Sequence, residues 1–145
     1  MNLADMIVRN AAFTPDKPAL SFYGQTWCYA DFAARIIALA GAMQSQLGVR
    51  RGDRVAILAL NHPDYLTLLY ACARLGAMLV PLNWRLALPE QLFILGDAGA
   101  KVLFVAQEFD AVCAALPGVA MVGVDHTPAN GVSLANLLAA GGNGV

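Results

Sequence analysis

Four short stretches hold the polar and aromatic side chains on which chemistry could be built: Asn61 and His62, Asn83 to Arg85, Gln107 and Glu108, and Asp125 and His126. Each follows an apolar run that reads as a strand. An open parallel sheet binds ligands outside the carboxyl ends of its strands, so an acid, a base or an anion clamp should be sought at these four places. No such set assembles. A nucleophile needs an adjacent base, and the base an orienting group. Asn61 and His62 suit the capping of a helix. Trp84 and Arg85, after Pro81-Leu82-Asn83, suit the packing of a loop, with ligand contact by Asn83, Trp84 or Arg85 as the lesser alternative.

Phosphate chemistry leaves no better trace. The strand at Val55 is followed by Ala59-Leu60-Asn61-His62-Pro63, without the glycines of a dinucleotide loop. Neither a G-x-x-x-x-G-K-[ST] loop nor a G-x-S-x-G elbow occurs. Gly96-Asp97-Ala98-Gly99 reads as a helix end and a turn into the strand at Lys101. Arg50, Arg51 and Arg54 form a local basic cluster that suits a solvated loop better than a phosphate site. His62 and His126 have no neighbouring Cys or His, which argues against a metal site. Cys28, Cys72 and Cys113 are too far apart for zinc spacing and too few for a disulfide framework. They read as reduced core cysteines of a cytoplasmic protein. No catalytic, cofactor-binding or metal-binding residue is assigned.

The elements that would position these groups are legible. Leu3 to Phe13 reads as a helix with Leu3, Met6, Ile7 and Asn10 on one face, ended by Pro15 and Pro18. Ala19 to Tyr23 and Thr26 to Tyr29 read as a hairpin turning at Gly24-Gln25. From Ala30 to Leu47, Phe32, Ile36, Leu39, Met43 and Leu47 make one helical stripe. Asp31 sits in the first turn and Gly48 in the left-handed cap position. Then strand and helix alternate: a strand at Arg54 to Leu58, covered on both faces, and a helix opened by His62-Pro63-Asp64. That helix runs through Leu66, Leu69, Tyr70 and Ala73 to Gly76. A buried strand at Ala77 to Val80, a helix from Pro89 through Leu92 and Leu95, and a strand at Lys101 to Val105 come next. A short helix from Glu108 to Leu116 and a strand at Ala120 to Val124 complete the alternation. Ser133 to Ala140 suits a last short helix, and Gly141 to Val145 a loop. This grammar predicts an α/β fold: an open, mainly parallel sheet with helices on both faces, preceded by a helix and a short β-hairpin. Strand order stays open.

Composition sets the bounds. The 145 residues suit one domain. Apolar residues make up 59% and charged residues 13%, against about 45–50% and about 25% in average domains. Either the core is large or some surface meets another domain. Arg74, Pro81, Asp97 and Pro117 interrupt the apolar runs before any reaches a membrane span. Asp5 and Arg9 break any signal-peptide pattern. The net charge of −1 argues against nucleic acid as a partner.

Taken in order, these segments resemble the amino-terminal part of the AMP-forming acid–CoA ligases of the adenylate-forming family. Four stretches carry the resemblance. Thr14-Pro15-Asp16-Lys17-Pro18-Ala19-Leu20 is similar to the opening P-x-x-x-A-[LI]. Trp27-Cys28-Tyr29-Ala30-Asp31-Phe32 resembles [ST]-Y-x-[ED]-[LF], with Cys28 where Ser or Thr is usual, which costs a capping hydroxyl. Leu47-Gly48-Val49 through Gly52-Asp53-Arg54-Val55-Ala56 resembles L-G-[VI]-x-x-G-D-R-V-A. Leu75-Gly76-Ala77-Met78-Leu79-Val80-Pro81-Leu82-Asn83 resembles A-x-x-x-G-[AG]-x-x-[VL]-P-[LI]-[ND]. The continuation Asn83-Trp84-Arg85-Leu86 leans toward acyl-CoA ligases rather than peptide-synthetase domains.

The resemblance implies a two-step reaction in the whole enzyme. A fatty or aromatic carboxylate and ATP give an acyl-adenylate and pyrophosphate, and coenzyme A then displaces AMP. It implies ATP, Mg²⁺ and coenzyme A as cofactors. The groups that hold them in the family lie downstream of every matching position, so no functional residue carries over. Residues 1–145 are expected to be a scaffold portion of the AMP-binding domain, ending before the phosphate-binding loop. They are expected to be inactive alone, to bind no cofactor tightly, and to have the rest of the ligase as partner. An exposed apolar face would then favour dimers. The alternative is a stand-alone, non-catalytic binding module derived from such a ligase.

Overall fold

The computed structural model describes residues 1–140; the loop expected at Gly141 to Val145 lies outside the described residues. The first helix, α1 (Leu3–Phe13), begins in a reciprocal cap: Asp5 N–H donates to the Asn2 side chain, and Asn2 N–H donates to the Asp5 carboxylate. Its buried residues are Ala4 and Ile7, whereas Leu3 and Met6 are exposed. The expected face is thus rotated. Apolar residues flank Ala4 on both sides, and the small Ala4 lets α1 approach its neighbours, which Leu3 would prevent.

The hairpin pairs β1 (Pro18–Phe22) with β2 (Gln25–Cys28). Phe22 pairs with Gln25, so the turn is Tyr23-Gly24, one residue earlier than expected. Both have positive φ, 46° and 79°, as a type I′ turn requires. Next, α2 (Tyr29–Leu47) buries Phe32, Ile36, Leu39 and Met43 along the expected stripe and ends at Gly48, φ 64°. Cys28, its N-cap residue, makes no capping hydrogen bond.

Five strands form one parallel sheet: β3 (Arg54–Leu58), β4 (Met78–Pro81), β5 (Ala100–Val105), β6 (Ala120–Gly123) and β7 (Val132–Ser133). The order is β4-β3-β5-β6-β7. The central β3 and β5 are the most apolar and the most buried, as strands covered on both faces must be. On one face α2, α3 (Pro63–Leu75) and α5 (Leu134–Ala140) enclose Val55, Ile57, Val102 and Phe104. On the other face, α4 (Leu88–Ala98) and a 3₁₀ helix (Gln107–Ala115) help enclose Ala56, Leu58, Leu103 and Val105. A smaller cluster joins α1, α2 and the hairpin around Phe32 and Ile36.

The helix expected to run through Leu66, Leu69, Tyr70 and Ala73 to Gly76 is α3; Tyr70 packs on Phe32, and the interior stripe is Asp64, Thr67, Leu68, Ala71 and Cys72. Two further expectations need correction. The strand expected to be buried at Ala77 to Val80 is β4, which lies at the sheet edge with Met78 exposed. Of the three cysteines, only Cys72 is a core residue. Among the described residues, no helix is long and apolar enough to cross a membrane.

Candidate functional site

Because the five strands are parallel, all of their carboxyl ends open at one edge of the sheet. The ladder continues past the strands and aligns the departing loops. Leu82 N–H donates to Ile57 O (2.9 Å), Ala106 N–H to Leu58 O (3.0 Å), and Val124 N–H to Val105 O (3.0 Å). The hairpin tip leans over the β3 and β4 end of this edge, and the Phe22 and His62 rings meet edge-on at 5.5 Å. Between them lies an open cleft made of two adjoining hollows of about 260 and 610 Å³. Phe22, Asn61 and Tyr65 line both, and Tyr23, Leu60 and Trp84 wall the larger one. Aromatic rings with one carboxamide between them suit a planar or acyl group.

The polar side chains expected at this edge are present, and three of them, His62, Asn83 and Asp125, accept a backbone N–H. His62 caps α3 through Nδ1, which accepts from Asp64 N–H at 3.1 Å. That nitrogen therefore carries no proton, and its 3.6 Å approach to the Asp64 carboxylate is not an ion pair. Asn83 Oδ1 accepts from Arg85 N–H at 3.0 Å. The Trp84 ring stacks on Phe109 at 5.9 Å, and the Arg85 guanidinium lies 4.9 Å from its centroid. The loop after β4 is thus self-packed. Gln107 and Glu108 begin the 3₁₀ helix, and Gln107 contributes its N–H to Asp125 Oδ1 at 2.8 Å.

His126 stands between two carboxylates. Nδ1 is 3.2 Å from Asp125 and Nε2 is 3.2 Å from Asp110. The second approach makes no hydrogen bond. Beneath this loop the backbone passes very near β6: a Cβ added to Gly123 would meet His126 O at 2.0 Å. Sequence reasoning had no signal for that approach.

The basic cluster lies elsewhere. Arg54 opens β3 and Lys101 stands near the start of β5, at the amino ends of the strands. Lys101 Nζ donates to Gly48 O (2.6 Å) and to Asp53 (3.1 Å). Asp53 also accepts from Arg50 N–H at 2.8 Å. The Arg50 amide first, and Lys101 second, hold its carboxyl below the usual aspartate range. Arg51 lays its stem along Gly76. The cluster is a solvated, structural loop.

A further group escaped the sequence reading. The Arg35 guanidinium donates to both oxygens of Asp64, at 2.6 and 2.9 Å, and lies 5.2 Å from the Trp27 ring centroid. It ties α2 to the first turn of α3, directly beneath His62. The visible hint was an Arg inside the apolar run of α2. Two of the cysteines are held toward the thiol form. Burial pushes the Cys72 thiol up to about 12, and burial, then Asp110, raises that of Cys113. Among the described residues, no group of three or more His, Cys, Asp or Glu is placed to hold a metal ion.

Comparison with known proteins agrees with this architecture. The chain is 40% identical over its full length to an indoleacetate–CoA ligase of Aromatoleum aromaticum, of which it spans 29%. It is 44% identical, over 75% of its length, to a feruloyl-CoA synthase of an Amycolatopsis species, of which it spans 22%. Its fold superposes with a TM-score of 0.88 on the crystal structure of an anthranilate–CoA ligase in complex with anthranoyl-AMP. That match is 27% identical and covers 97% of this chain and 28% of the other. The chain thus spans less than a third of the length of the relatives it matches. The family model for AMP-binding enzymes matches residues 7–138, and the chain belongs to that family.

Proposed function

We propose that residues 1–145 form the amino-terminal scaffold and part of the pocket wall of an ATP-dependent, AMP-forming acid–CoA ligase. The carrying observation is the match to CoA ligases over 100% and 75% of this chain, of which the chain spans only 29% and 22%. The whole enzyme joins a fatty or aromatic carboxylate to coenzyme A through an acyl-adenylate. Relatives are named for aromatic acids, indoleacetate and ferulate, and for long-chain fatty acids; an aromatic acid is favoured because the cleft is walled by Phe22, Tyr23, Tyr65 and Trp84. The enzyme works in the cytoplasm.

ATP and Mg²⁺ do not fit the groups present. Among the described residues no three His, Cys, Asp or Glu side chains gather to hold Mg²⁺; the cations Arg54 and Lys101 stand at the amino ends of the strands, and Arg85, at the carboxyl edge, lies against the Trp84 ring. Hence no phosphoryl or adenylyl step is assigned to these residues, which are proposed to be inactive alone and to hold no cofactor tightly. Their role is to fix the sheet edge and present an apolar wall from which water is excluded. That matters for a mixed anhydride, which water would hydrolyse.

The test is acid-dependent ATP–pyrophosphate exchange. The 145-residue chain should match a no-protein blank. The polypeptide obtained by following the reading frame past Val145 should exchange. Exchange by the short chain, or a stop codon directly after Val145, would refute the scaffold reading. The stop codon would favour a stand-alone binding module.

A further inference from the structure

Two polar groups of the cleft are left without a partner by the chain itself. The Asn61 carboxamide lines both hollows and makes no side-chain hydrogen bond among the described residues. His62 lines the smaller hollow, and its ring is held on two sides. Nδ1 accepts from Asp64 N–H at 3.1 Å, and the Phe22 ring meets it edge-on at 5.5 Å. A neutral imidazole that accepts at Nδ1 must carry its proton on Nε2. The helix cap thus makes Nε2 a donor, and this N–H has no partner among the described residues. The nearby Asp64 carboxylate is occupied by Arg35, which donates to both of its oxygens at 2.6 and 2.9 Å.

The walls around these two groups include Leu20, Phe22, Pro63 and Leu66. A hollow of this kind takes a flat apolar body that offers one or two acceptors. It does not suit a carboxylate, because the cations nearby are engaged: Arg35 by Asp64, and Arg85 by the Trp84 ring. The end of an aromatic acid that fits is therefore the ring. The hollows beside Arg74 and beside Asp110 have no aromatic wall.

We propose that His62 is a specificity-determining residue, donating from Nε2–H to a hydroxyl or methoxy oxygen on the ring of an aromatic acid, remote from its carboxylate, with Asn61 as the second polar contact. This rests on the ligase reading of the cleft and adds to it the substituent that is read and the group that reads it.

The first arm of the test uses the 145-residue chain. Long-range nitrogen–proton correlation NMR at mildly alkaline pH, with His62→Asn separating the two histidines, should show the Nε2–H tautomer at His62. The Nδ1–H tautomer overturns the proposal. The second arm uses the longer polypeptide and compares para-hydroxyphenylacetate with phenylacetate in ATP–pyrophosphate exchange. Asparagine holds Oδ1 where the ring holds Nδ1, so His62→Asn keeps the cap but places no atom where Nε2 stood. Its thermal midpoint should stay within about 2 °C of wild type. Its kcat/KM should fall by about 3–10-fold for the hydroxy acid, the worth of one hydrogen bond from a half-exposed group, and by no more than about 2-fold for phenylacetate. Equal losses for the two acids, or no loss for either, overturn the proposal. So does exchange confined to an aliphatic acid such as octanoate, which leaves the ligase reading standing. Exchange with no carboxylic acid, or a frame that stops at Val145, removes the ligase reading as well.

Discussion

The Arg35–Asp64 pair offers the sharpest test of how the ligand edge is held. Asp64 is nearly enclosed, its side chain 7% exposed, whereas that of Arg35 is 34% exposed. The two partners should therefore be unequal when separated. Arg35→Met keeps most of the stem that packs on Trp27 but leaves a buried carboxylate without its cation. Complete burial would put that loss at about 3–5 kcal/mol, and exposed pairs at about 0–1 kcal/mol. The half-open geometry places Arg35→Met at about 2–3 kcal/mol. Asp64→Leu leaves the guanidinium, which can turn to water, and should cost about 1–2 kcal/mol. The double variant leaves no charge stranded and should cost less than Arg35→Met alone, giving a coupling of at least about 1 kcal/mol. Urea unfolding followed by far-UV circular dichroism is the right assay, since the Trp27 fluorescence would change with Arg35 itself. The reasoning fails if Asp64→Leu costs more than Arg35→Met, or if the coupling falls below about 0.5 kcal/mol.

Other outcomes follow from the same geometry. Cys28→Ser should supply the missing cap of α2 and stabilise by about 1 kcal/mol, raising the thermal midpoint by about 2–4 °C; Cys28→Ala should not. Gly123→Ala should cost more than about 3 kcal/mol, because its Cβ would meet a backbone carbonyl rather than a movable side chain; urea midpoints read this. Asp53→Asn should destabilise at neutral pH. The Asp53 carboxyl is depressed from its usual 3.8, so its contribution is present above that value and lost as pH falls through the lower, folded one. The gap between wild type and Asp53→Asn in urea unfolding should therefore be full at neutral pH and close below pH 3.8; a gap independent of pH would refute the pairing with Arg50 and Lys101.

The alternation of strands and helices was legible because it rests on local pattern. The stripe from Phe32 to Met43 and the stops at Gly48 and Gly76 need only neighbours a turn away. What escaped depends on distant chain. Ala77 to Val80 is equally apolar as an interior or an edge strand, and only the pairing partner separates the two. The face of α1 was misread because Ala4 carries little hydropathy, while its smallness decides how closely α2 can approach. Tyr23 adopts a left-handed backbone because the hairpin register demands it, which side-chain preference does not announce. The cleft was invisible for the same reason: Phe22 meets His62 across a whole helix of intervening sequence. The cautious reading of Asn61, His62, Asn83 and Trp84 as caps and loop packing survives in His62, Asn83 and Trp84.

That cautious reading has a physical consequence for the site. A general base needs an unengaged lone pair within reach of substrate. At the ligand edge, His62 Nδ1, Asn83 Oδ1 and Asp125 Oδ1 each accept a backbone N–H. For each, removing the side chain would free a backbone amide and loosen its loop. Asn61 is different, because it lines both hollows of the cleft and makes no side-chain hydrogen bond among the described residues. A carboxamide so placed can orient a bound group but cannot exchange protons with it near neutral pH. Around the cleft, His62 and Asn83 thus hold backbone in place, and Asn61 is the carboxamide left to meet a bound group.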